Sequence, residues 1–362
     1  MYKLGFIGGG YDSIAGYPHY IASQMDNRFE VVAGVFSSNK DKSKETSKRW
    51  KVNHYDTIEE MLNNEQLDAV SILTPTPMHY DNIQYLLKKS IPIICEKPLV
   101  SSYEDSLNLE KILKNNFLAI TNNYSGYPMI RELKEQIKND TLGDILSINL
   151  QMPQETFLRP PKNIKYPQPW RLSDGYIPMI SLDLGTHLHH ISSFLLGEEP
   201  SELVAEFNSF SNYDVIDDVK ILLRYKNNKN GMMWFSKSAL GHRNGLSVEV
   251  YGTKASASWV QENSEQLNIS YNDGTKTILD RSSNCFEANK QRYNRMTPGH
   301  PSGFIEAFAN TYNDIADLLD AHYHNNSEIN KSAYSLNHAV NGLKLLHKAT
   351  ISYEQNKWIK VN

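Results

Sequence analysis

The chain has 362 residues, enough for two domains at about 150 residues each. Lysine and arginine total 37 against 41 aspartates and glutamates, and no run of like charge is long enough to make a nucleic-acid or membrane arm. A small, neutral or mildly polar ligand is expected. Cys95 and Cys285 lack metal or redox spacing, and no window reaches the roughly 18 apolar residues of a membrane span, so a soluble, cytoplasmic protein is expected.

From Tyr2 to about Asn122, the short apolar runs "KLGFI", "FEVVAGVF", "DAVSILT", "IPIIC" and "FLAIT" alternate with amphipathic stretches. This alternation predicts β-α units around a doubly wound parallel sheet, a Rossmann-type domain over residues 1–122. Ser102, just ahead of Glu104, marks the start of one of its helices. Beyond Asn122 come a helix around Met129–Lys138, a strand at "ILSINLQM" and a Pro- and aromatic-rich stretch from Pro153 to Pro178. From Leu203 to Leu279, β-rich segments joined by turns predict a mixed or antiparallel meander with one covered face. Helical patterns near Gly303–His322 and Ser332–Tyr353 close the chain. Residues 123–362 therefore read as a second α/β domain with a large open, mostly antiparallel sheet.

The loop "GFIGGGYDSIAGYPHY" follows the first strand and precedes a helix expected near Gly16–Met25. Gly8, Gly10 and Ser13 occupy the three small-residue positions of a dinucleotide fingerprint, where a tight turn, close backbone approach and helix N-terminal N–H groups receive a pyrophosphate. Tyr11 and Ile14 belong to the same expected cofactor loop. The end of the second strand carries Ser37 and Ser38 instead of a carboxylate, with Lys42 beyond. These three are the adenosine-end candidates, and NAD and NADP both stay open. His19 reads as a packing or cofactor-side residue.

"CEKPLV" at Cys95–Val100 ends a buried-strand pattern, which puts Lys97 at the carboxyl end of a parallel strand, where doubly wound folds place ligands. Glu96-Lys97-Pro98, after a glycine loop and "TPTPMH" at Thr74–His79, resembles the glucose-fructose oxidoreductase and inositol dehydrogenase (Gfo/Idh/MocA) family. "NNYSGYPMIRELKE" from Asn122, "SLDLGTHLHH" from Ser181, "GLSVEVYGTKASASWVQEN" from Gly245 and "PGHPSGFIEAFANTY" from Pro298 extend the match over nearly the whole chain. Their order is similar to a branch acting on sugars, glycosides and cyclitols.

The resemblance implies Lys97, Asp183 and His187 as the catalytic set, a Lys97-Pro98 bond that is cis in many members, and a homodimer or homotetramer built on the open sheet. It also implies cofactor contacts at Thr74, Pro75, His79, Glu96 and Lys97. Lys97 would hold the reacting oxygen and stabilise alkoxide-like charge. His187 suits the proton, and a helix through this segment would put Asp183 on the same face. His190 shares that face as a substrate contact, while His189 points elsewhere. Without further suitably placed ligands, the three histidines are not expected to bind metal. Tyr124, Trp170, Arg171 and His300 complete the expected sites for a polyol or carbohydrate. Three functions fit: an NAD(P)-dependent dehydrogenase, a nucleotide-bound sensor on the same fold, or an enzyme that recycles a tightly held cofactor.

Overall fold

The computed structural model describes residues 1–159, 167–324 and 334–361. Residues 160–166 of the Pro- and aromatic-rich stretch and the start of the last helical pattern at Ser332 lie outside the described residues. The alternating first part runs β1 (Tyr2–Gly8), α1 (Gly16–Gln24), β2 (Phe29–Val35), α2 (Lys40–Trp50), β3 (Asn53–His54), α3 (Ile58–Asn64) and β4 (Ala69–Leu73). It continues with α4 (His79–Lys88), β5 (Ile93–Glu96), α5 (Tyr103–Leu113) and β6 (Leu118–Thr121). Next come α6 (Pro128–Lys138), β7 (Ile145–Pro153), α7 (Thr186–Leu196), β8 (Glu202–Asn208), β9 (Asp218–Arg224) and β10 (Asn230–Ser236). The remainder is β11 (Ser247–Gly252), β12 (Ala255–Val260), β13 (Leu267–Tyr271), β14 (Lys276–Leu279), α8 (Phe304–Tyr323), α9 (Leu336–Gln355) and β15 (Ile359–Lys360).

Local chemistry starts the helices where the residue types allow. Ser102 accepts the Asp105 N–H at 3.1 Å and opens α5 as the sequence predicts. Thr57 and Glu60 form a reciprocal capping box at α3.

A single cut at 122/123 does not describe the compact units. One unit comprises Met1–Gly126 with Phe304–Val340, and the other Tyr127–Gly303 with Asn341–Asn362. In the first unit, six parallel strands pair in the order β3-β2-β1-β4-β5-β6. Helix α8 joins this unit because Phe308, Tyr312, Ile315 and Leu319 form one apolar stripe that packs with Leu4, Phe6, Phe29 and Ile94. Burying each large side chain of this kind stabilises the fold by roughly 1.5–3 kcal/mol.

The second unit holds a nine-stranded sheet in the order β14-β13-β12-β11-β7-β10-β9-β8-β15, antiparallel except for the β7–β10 pair. In β9, Val219, Ile221 and Leu223 are buried while Lys220, Leu222 and Arg224 face outwards. Helices α6, α7 and the latter part of α9 supply Leu133, Ile191 and Leu346 to the buried side. Two polar clamps hold the irregular chain after β14. Glu132, fully buried, accepts the N–H groups of Phe286, Glu287 and Ala288 at 3.1, 2.7 and 3.1 Å. The Arg281 guanidinium, also buried, reaches Glu265, Asn294 and the His300 carbonyl at 2.8, 2.9 and 2.8 Å.

Glu132→Gln turns one accepting oxygen into an NH2 group that faces these amide donors. A loss of about 1–3 kcal/mol is expected, read as a lower melting temperature with faster hydrogen exchange at residues 286–288; unchanged exchange there would contradict the clamp.

Candidate active site

The first unit builds a cradle for a phosphate-bearing ligand. Gly8 has φ +77°, and a Cβ there would sit 2.9 Å from the Leu73–Thr74 backbone. The tightest approach comes later, since a Cβ on Gly16 would lie 2.0 Å from the Gly9 carbonyl oxygen and 2.5 Å from that of Gly10. The helix-packing position of the fingerprint is thus Gly16 and not Ser13, which corrects the sequence reading. Ser13 instead braces the loop: its N–H donates to the Gly10 carbonyl at 2.9 Å and its hydroxyl accepts the Gly16 N–H at 3.3 Å. The Tyr11 N–H donates to Thr46 Oγ1 at 3.3 Å, and Ile14 stands exposed at the loop tip. Among the described residues, the N–H groups of Asp12, Ile14 and Ala15 meet no protein acceptor just ahead of α1. Open amide donors at a helix start, with no side chain on Gly16, fit a dinucleotide pyrophosphate.

At the end of β2, Ser37 Oγ accepts the Asn39 N–H at 3.1 Å, and Ser38 is exposed. Lys42 pairs with Asp12 at 2.6 Å. Thr74 and Pro75 follow β4, with Thr74 Oγ1 accepting from Asn82 at 3.2 Å. His79 does not line this cradle. It is buried, with Nε2 2.9 Å from the Thr74 carbonyl and Nδ1 2.9 and 3.2 Å from those of Pro98 and Leu99. Burial pulls its pKa down, and both ring nitrogens face backbone. Its expected cofactor contact is corrected to a positioning role that fastens the β4 loop to the β5 loop.

The β5 loop carries Glu96, Lys97 and a cis Lys97-Pro98 bond. Glu96 Oε1 lies 3.2 Å from His19 Nε2 and accepts the Thr121 hydroxyl at 2.8 Å. His19 Nδ1 lies 2.7 Å from the Tyr312 hydroxyl. Burial pushes the Glu96 carboxyl up, but the hydrogen bond and charge of His19, with Lys97 and Thr121, outweigh it and hold it below its ordinary range. Tyr124 is also buried in this unit, its ring edge-on to Phe304 at 6.2 Å.

In the second unit, Ser181–Gly185 forms a π turn that runs into α7. Gly185 permits it, because a Cβ there would lie 2.8 Å from Leu346 and 3.0 Å from Phe235. Such turns recur at functional sites. Asp183, on this turn, accepts Lys237 Nζ at 2.6 Å and an Arg171 N–H at the same Oδ2. Arg171 lies 4.4 Å over the Trp170 ring, whose Nε1 donates to Gln168 at 2.8 Å. His187 and His190 are buried on α7, and His189 turns away to Glu199 at 2.8 Å. His300 is exposed, with Nδ1 3.2 Å from the Thr297 carbonyl. Sequence reasoning missed Lys237, although it closes a strand whose Met233 and Phe235 are buried.

Residues 2–124 match the model of the oxidoreductase family with an NAD-binding Rossmann fold, and residues 130–258 match the GFO/IDH/MocA C-terminal domain. The chain belongs to the Gfo/Idh/MocA oxidoreductase family. It is 26% identical to the uncharacterized oxidoreductase YfiI of Bacillus subtilis, covering 99% of this chain and 96% of that one. An oxidoreductase structure from Sinorhizobium meliloti matches with TM-score 0.85 at 31% identity over 99% of both chains. An inositol dehydrogenase homolog from Azotobacter vinelandii, solved with NADH and myo-inositol, gives TM-score 0.89 at 25% identity over 99% of this chain and 97% of that one. This Gfo/Idh/MocA member is accordingly an NAD-binding oxidoreductase.

Gly16→Ala forces a methyl group into the Gly9 carbonyl. NADH affinity is expected to fall by about tenfold or more, the scale of a 1–3 kcal/mol overpacking cost. Fluorescence titration of NADH checks this, and wild-type affinity in the variant would remove Gly16 from the cradle.

Proposed function

We propose that this protein oxidises a secondary hydroxyl of a sugar, glycoside or cyclitol, or reduces the matching ketone, with NAD as hydride carrier. The observation that carries the reading is Lys97 at the end of β5 in an NAD-binding unit, next to a Glu96 clamped by His19 and Thr121. The bound nicotinamide supplies the two-electron redox chemistry. The chain's own residues do the rest. His187 takes the hydroxyl proton as general base. Lys97 donates to the reacting oxygen and stabilises the negative charge that develops there. Asp183, immobilised by two cations, accepts a neighbouring substrate hydroxyl and sets which carbon presents its hydrogen. The neighbouring oxidoreductase solved with myo-inositol supports a polyol substrate.

Nicotinamide reduction by absorbance, across inositols, free sugars and glycosides, tests this reading. Turnover of at least one is expected, and Lys97→Ala should lower kcat/KM by about 10²- to 10⁴-fold while NADH still binds. Full activity in the variant, or NADH binding without turnover across the panel, would argue against it.

The exposed face of the second unit's sheet supports self-association into a dimer or tetramer. Leu222 and Tyr251 are 48% and 40% exposed there, between polar neighbours such as Lys220 and Glu249. Light scattering should give a dimer or tetramer for the wild type and a smaller species for Leu222→Asp with Tyr251→Asp. A wild-type monomer would rule the surface out.

A further inference from the structure

The glycine loop is longer than its fingerprint. Gly16 lies six positions after Gly10, where the fingerprint's third glycine lies three after its second. The added length does not hang loose. Tyr11 is tied at both ends, its N–H to Thr46 on α2 at 3.3 Å and its ring beneath the Arg49 guanidinium at 4.1 Å. Ser13 is tied back to Gly10 at 2.9 Å. Asp12 lies between these two anchors, and its carboxylate meets Lys42 at 2.6 Å in the first turn of α2.

That location matters because β2 ends without the carboxylate that accepts a ribose 2′-hydroxyl and repels a 2′-phosphate. Ser37 and Ser38 stand there instead, next to a lysine-rich helix start. On those residues alone a phosphate would be welcome. In the folded chain the attractive groups are already engaged. Asn39 Oδ1 accepts the N–H groups of Asp41 and Lys42 at 3.0 and 3.1 Å, and Ser37 Oγ accepts that of Asn39 at 3.1 Å. Lys40 pairs with Asp56, Arg49 with Glu45 and Lys42 with Asp12.

We propose that Asp12, carried to the β2–α2 junction by the lengthened loop, is the residue that selects NAD over NADP. It replaces the absent strand-end carboxylate: it offers an acceptor to the ribose hydroxyls, occupies Lys42 and opposes a 2′-phosphate. An exposed ion pair contributes little to stability. Toward a 2′-phosphate the carboxylate is repulsive and keeps the lysine from receiving it, an effect read in the ratio of nucleotide affinities and not in fold stability.

This assignment rests on the cofactor reading above, so the test measures binding of each nucleotide alone, by fluorescence titration of NADH and NADPH. The wild type should bind NADH at least about tenfold tighter than NADPH, the effect of one such charge interaction. Asp12→Ser should tighten NADPH about tenfold relative to NADH. Lys42→Ala in the Asp12→Ser background should cancel that gain, because the freed lysine is what receives the phosphate. Lys42→Ala alone, which leaves Asp12 uncompensated, should weaken NADPH further and provides a reading that does not depend on the Asp12 variants. Equal or preferred NADPH binding by the wild type, or a ratio unchanged in Asp12→Ser, would overturn the assignment and leave the dehydrogenase reading standing. Binding of neither nucleotide would overturn both.

Discussion

One oxygen atom joins the parts of the first unit on which the proposed chemistry depends. Glu96 Oε1, at the end of β5, receives Thr121 from the end of β6 and faces His19 of α1, while the far nitrogen of His19 faces Tyr312 of α8. The helix that follows the glycine loop, the strand end that carries Lys97 and a helix from late in the chain are thereby fixed to one another. In a low-dielectric interior, leaving any of these groups without its partner costs more than the bond contributes, so the set holds together or fails together.

His79 packs on the other side of the same loop, buried between the carbonyl of Thr74 and those of Pro98 and Leu99. Lys97 therefore sits in a short segment held by a histidine on each side. In the proposed reaction, a cation that must meet a developing negative charge benefits from such immobility, because little reorganisation is left for the moment of reaction. In the second unit the π turn and the two cations do the same for Asp183. In this cluster of one carboxylate and two cations, removing Asp183 leaves both cations uncompensated, whereas removing Lys237 still leaves Asp183 paired with Arg171.

Much of the fold was legible. The buried runs ending at Ile7, Leu73 and Cys95 reveal a parallel sheet because a strand covered on both faces has no polar alternation to hide it. The Ser102 cap is legible for the same reason, since the side chain and the N–H it accepts lie three residues apart. Ser13 misleads because the fingerprint presumes a loop length, whereas the carbonyl that excludes a side chain at Gly16 is evident only when α1 packs back on the loop. His79 misleads because its place after "TPTPM" suggests a ligand, and burial decides otherwise.

The sequence by itself determined the succession of strands and helices and the residues that mark the family, because periodicity, caps and motifs are relations among near neighbours. Only the tertiary structure decided which charges and hydrogen bonds meet. Asp12 and Lys42 are 30 positions apart, Asp183 and Lys237 54, and His19 and Tyr312 293. Whether such groups find each other depends on the path by which the chain closes and on the burial that removes water as a competing partner, and neither is written in any local stretch of residues.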